Sequence, residues 1–238
     1  MPTLPHYDLY APLFAHPEAD FLERVQAAVA FTGGRYPDAA VEIERFAALL
    51  PGNGDRLSPE ELTEVQEIFT RSFEVQAVVT LDVGYVAFGD DYKRAELLVN
   101  LTRELRDAGL EPGVELADHL SNILRLLARW DCDEARDEFV ALLLHPALER
   151  MIGEFGLERT QVRNALYEKH YKTLIESSAQ RGVIYRYALA ALLEVIRADF
   201  SLSACEQPEK TSDFLRSLRR ELEIEAKGEG ERPSGRIP

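Results

Sequence analysis

Residues 115–130 read ELADHLSNILRLLARW, and their spacing decides the fold class. Leu120, Ile123, Leu124, Leu127 and Trp130 recur on one face of a helix. Just ahead of them Glu115, Asp118 and His119 crowd two acids and a histidine onto a helix start, in a chain with 5 histidines. On capping chemistry alone, Asp118 is the expected N-cap, with His119 donating to a backbone carbonyl of the 110–114 loop.

The same periodicity extends outward in both directions. Upstream, Ser58-Pro59-Glu60-Glu61 carries a capping box with proline in the first turn, ahead of Leu62, Val65, Phe69 and Phe73 at helical spacing. Asp90-Asp91 opens a further helix whose buried stripe is expected at Ala95, Leu98, Leu101 and Leu105, and Gly109 closes it. Tyr85 and Phe88 lie three apart on a short helix, a spacing usual for core aromatics; Gly84 permits close helix approach and Gly89 ends that helix. Nearer the start, 21–31 and 39–50 read as helices separated by Gly33-Gly34-Arg35-Tyr36-Pro37.

Downstream, a helix begins near Asp133 and carries Phe139, Val140 and Leu143, and Pro146 breaks or restarts it. Two longer helices follow, around Val162–Leu174 and Tyr187–Ile196, then a last amphipathic one over Ser212–Glu225. The one β-like run, Val75–Val79, is too short to build a sheet, and the neighbouring helices are expected to absorb it. These elements predict an all-α fold, a single globular helical bundle of about ten helices. Residues 227–238, KGEGERPSGRIP, have the composition of a disordered C-terminal tail.

The 238 residues suffice for a sizeable core, and 46% hydrophobic with 29% charged residues is the balance of a globular chain. No stretch approaches the ~18 apolar residues of a membrane span, so no stable membrane insertion is expected. MPTLPHYDLY lacks the basic and apolar regions of a secretory signal, which makes cytoplasmic the expected location. Cys132 and Cys205 have no disulfide-framework or zinc spacing. The net charge of −15 is uneven. Residues 1–138 hold 27 acids against 12 bases, whereas 139–238 hold 15 of each. Such a face repels nucleic acid and anionic lipid and suits a cationic partner.

Catalytic patterns are weak. HExxH, Glu-x-x-His, GxSxG and Walker-type loops are absent. Asp118-His119 reverses the His-Asp doublet of helical metal-dependent phosphohydrolases, and adjacent helical residues diverge by about 100°. The residues therefore predict no enzyme and no metal site. Two readings of Glu115, Asp118 and His119 stay open: a structural helix cap, or a partly exposed acidic hinge that meets a basic peptide. Residues 111–138, with eight acids against three arginines, favour a cationic partner at the hinge.

Several short motifs also resemble a known family. FTRSFE at 69–74, the run Tyr85-x-x-Phe88-Gly89-Asp90-Asp91, ELADHL at 115–120 and Leu13-Phe14-Ala15-His16-Pro17 look like the cytoplasmic redox-enzyme maturation chaperones of molybdoenzyme assembly. The similarity is to the branch serving nitrate-reductase-type enzymes (delta-subunit-like), spans Leu9 to Phe200, and departs at Ala117, where that family usually has proline. The resemblance implies a helical chaperone domain over 1–205, followed by a C-terminal helix and flexible tail over 206–238. It implies a system-specific chaperone that binds the immature, molybdenum-containing catalytic subunit of an oxidoreductase through its N-terminal leader, often of twin-arginine type. Such a chaperone supports cofactor insertion, folding and assembly or export, and itself holds no tight cofactor. The implied binding residues are Tyr85, Phe88, Glu115, Asp118 and His119, and the implied state is a monomer, with a dimer as the variant. A metal-dependent phosphohydrolase and a permanent structural subunit of the redox complex are the alternatives.

Overall fold

A computed structural model describes residues 4–52, 54, 56–75, 77–156 and 183–202; the sequence expectations for 162–174, 212–225 and 227–238 lie outside them. The described backbone is helical, and no strand forms in it; one isolated antiparallel bridge joins Asp82 and His119. The helices are α1 (Tyr7–Tyr10), α2 (Phe21–Gly33), α3 (Pro37–Leu49), α4 (Pro59–Phe73), α5 (Val83–Phe88), α6 (Tyr92–Asp107), α7 (Leu120–Leu127), α8 (Asp133–Phe139), α9 (His145–Glu154) and α10 (Ile184–Asp199).

Local chemistry explains most boundaries. Ser58 Oγ accepts the Glu61 N–H and the Glu61 carboxylate accepts the Ser58 N–H, the expected capping box, with Pro59 opening α4. Asp91 caps α6 by accepting the Lys93 N–H at 3.0 Å. At its other end Gly109 takes φ +71°, which turns the Leu110 N–H back onto the Leu105 carbonyl at 2.8 Å. Pro146 does not break the chain. A π-turn, Val140–Leu144, runs between α8 and α9, and the His145 N–H reaches the Val140 carbonyl. Pro146 thus sits in the first turn of α9, where the helix restarts.

Three expectations change. The buried face of α6 is Lys93, Leu97, Leu101 and Leu105, with Ala95 exposed, so the stripe is rotated from the expected one. Residues 75 and 77–79 are not absorbed into helix: the Val78 and Val79 N–H groups both donate to the Ser72 carbonyl. α7 ends at Leu127 rather than at Trp130, because the Arg129 N–H closes a tighter turn onto Leu126.

α10 lies along α3 and against α9, and α7 runs beneath α1 and the 3₁₀ turn Ala11–Phe14. Tyr185 of α10 packs with Phe46, Phe69 and Phe73, its ring centroid 4.8 Å from that of Phe73. Leu120, Ile123, Leu124 and Leu127 of α7 are buried, each removing ~1.5–3 kcal/mol worth of apolar surface from water. The functionally suggestive segments sit on either side of this buried helix start.

Candidate functional site

α5 and the 110–119 loop meet where the isolated bridge pairs them. The Val83 N–H donates to the Asp118 carbonyl and the Leu120 N–H to the Leu81 carbonyl, both at 2.9 Å. This two-rung ladder fixes the approach of the acidic loop to α5. Gly84 allows it: a Cβ there would stand 2.6 Å from Asp118 Oδ2 and 2.9 Å from Leu97 Cδ2.

Arg94 of α6 closes the junction. Its Nε donates to Asp118 Oδ2 at 2.8 Å and its Nη2 to Asp82 Oδ2 at 2.8 Å, so one guanidinium joins the carboxylates on both sides of the bridge. Its other side lies over the Tyr85 ring, Cζ 5.3 Å from the centroid. Asp118 is wholly buried, a position that a carboxylate holds only when paired and hydrogen-bonded.

His119, not Asp118, is the N-cap of α7. Its Nδ1 accepts the Ser121 N–H at 3.3 Å and lies 2.8 Å from Ser121 Oγ. Asn122 then ties the loop from inside, donating to the carbonyls of Pro112 and Leu116. Burial pulls the His119 imidazole below the usual histidine range, against the upward pull of the Glu115, Asp82, Asp118 and Glu74 carboxylates.

The expected partly exposed hinge is thus divided by depth. Asp118 and His119 are buried, Glu115 is exposed, Tyr85 is 42% exposed and Phe88 is half-buried against the core. Tyr85 is therefore not the core aromatic that its spacing suggested. Beside Glu115, Val114 is 99% exposed and Leu116 half-exposed, an apolar display on an acidic loop. Along α4 lies an open groove of about 520 Å³ lined by His16, Thr63, Gln66, Glu67, Thr70, Arg71 and Val75.

Arg94 and Asp82 escaped the sequence reading. The available signal was a cation at position 94, in register with Leu97 and Leu101: a charge on an apolar face requires a buried partner. A second polar cluster was missed altogether. Asp199, ending α10, accepts from Tyr7 OH at 2.9 Å and Tyr36 OH at 2.7 Å, with His6 Nε2 at 2.6 Å. His6 stacks on Phe31 at 5.3 Å between centroids. Its members come from three separate stretches, 6–7, 36 and 199, with no local pattern to join them.

Among the described residues no group of three or more His, Cys, Asp or Glu side chains is placed to hold a metal ion, and no helix is long and apolar enough to cross a membrane. Compared with known proteins, the chain matches no family model, no curated protein and no solved structure.

Proposed function

We propose that this protein is a non-catalytic chaperone that captures a cationic, partly apolar segment of an immature client. The client suggested by the sequence resemblance is the molybdenum-containing catalytic subunit of an oxidoreductase, bound through its N-terminal leader, in the cytoplasm. One observation carries the reading: exposed Tyr85, Val114, Glu115 and Leu116 are displayed over a rigid base in which Arg94 locks Asp82 and Asp118. Exposed aromatic and aliphatic groups supply contact area, Glu115 supplies charge, and the excess of acids over residues 1–138 supplies long-range attraction.

The burial of Asp118 changes how the reading is tested. Removing it would disturb the fold, so the informative changes are at exposed positions. The full-length chain is titrated calorimetrically with a synthetic peptide bearing two adjacent arginines and an apolar run. Binding is expected, with Glu115→Lys together with Tyr85→Ala weakening it by about tenfold or more. An unchanged affinity in that double variant refutes the site, and no binding by the unaltered chain refutes the function.

A further inference from the structure

His119 occupies an unusual position for a helix cap, because its acceptor is a titratable nitrogen. The Ser121 N–H points at Nδ1, so the lone pair must be on Nδ1 and the ring proton on Nε2. Both hydrogen-bond contacts of the ring to described residues are made through Nδ1. A second proton goes to Nδ1, which abolishes acceptance from the Ser121 N–H. It also puts a full positive charge at the positive end of the α7 dipole.

The charged groups around the imidazole come, among the described residues, from four segments of the chain. They are Glu74 at the end of α4, Asp82 ahead of α5, Arg94 of α6, and Glu115 and Asp118 of the loop. Arg94 balances Asp82 and Asp118; among the described residues no cation pairs with Glu74 or Glu115. Among the described residues the four carboxylates thus outnumber the one guanidinium, around a buried imidazole whose Nδ1 is an acceptor. A bound cation and a proton on His119 would occupy the same field, and each weakens the other by the same factor.

Resting on the chaperone reading for its partner, we propose that His119 is a proton switch for this site. Uptake of one proton on Nδ1 uncaps α7, loosens the 110–119 loop and expels the cationic segment, so that mild acid releases the client and neutral pH retains it.

The test compares the unaltered full-length chain with His119→Asn, whose side-chain oxygen also caps a helix but does not titrate. The arginine-pair peptide is the probe, at constant ionic strength, near pH 7.5 and near pH 5. The unaltered chain is expected to lose about three- to tenfold in affinity on acidification, and His119→Asn less than twofold. Equal losses overturn the proposal. The urea midpoint, read without peptide, separates this from failure of the chaperone reading. On acidification it should fall further in the unaltered chain than in His119→Asn, and an equal fall overturns the switch even where the peptide binds. Peptide binding at neither pH overturns client release together with the chaperone reading, and leaves the midpoint comparison to judge the proton-coupled cap. Should His119→Asn not fold, the Ser121 amide resonance of the unaltered chain decides. It should move with the His119 titration, and a resonance indifferent to it refutes the cap mechanism.

Discussion

Gly84 is the position at which a single methyl group tells most. The Cβ of Gly84→Ala would meet the Asp118 carboxylate and Leu97, both held by packing and by Arg94, and a cost of about 1–3 kcal/mol follows from overpacking. Urea denaturation measures it, and a midpoint equal to that of the unaltered chain contradicts the geometry. Asp118→Ala is expected to cost about 3 kcal/mol, the low end for a broken buried pair, since Arg94 keeps Asp82. Some of this was legible in the sequence. Gly84 marked itself as a point of close approach, and Glu115, Asp118 and His119 marked a helix start. The depth of each was not, because burial of Asp118 is decided by a guanidinium 24 residues earlier in the chain, and no local spacing announces that pairing.

At the scale of elements, helix starts were readable wherever a cap is built from adjacent residues. Ser58→Ala removes one half of the α4 capping box and should lower stability by about 1 kcal/mol, read from the thermal midpoint. Faces were less readable. α6 rotates away from its expected stripe so that Arg94 reaches the bridge, a tertiary demand overriding a tie between two apolar registers. The Asp199 cluster shows the same limit between elements. Burial pushes the Asp199 carboxyl up, but the hydrogen bonds of His6, Tyr36 and Tyr7 outweigh it and hold the carboxyl below the usual range. A depressed carboxyl contributes stability that is complete above its unfolded value, about 3.9, and is lost as pH falls through the folded one. Acid unfolding of Asp199→Asn should accordingly start from a less stable protein and show a shallower loss below about pH 4. An unchanged slope there would remove Asp199 as a linkage group.

For the whole molecule, the uneven charge makes a prediction of its own. Association with the arginine-pair peptide should slow and weaken as salt rises from about 0.05 to 0.5 M, with the larger change in on-rate. Stopped-flow mixing at several salt concentrations distinguishes this from contact-only binding, whose on-rate stays flat. The helical class was visible in the sequence because periodicity is a local property. The mutual placement of the helices was not, being set by side chains far apart in the chain.

The Asp199 cluster also joins parts of the chain that are synthesised far apart in time. His6 and Tyr7 are joined to Asp199 across 193 and 192 residues, so both rings leave the ribosome long before that carboxylate is synthesised. Translation runs from the N-terminus at about 5–20 residues per second, so those aromatic groups wait roughly ten seconds or more, without Asp199, in the nascent chain. These contacts can close only after nearly all of the described residues have been made, and until then the Tyr7 hydroxyl lacks its carboxylate acceptor.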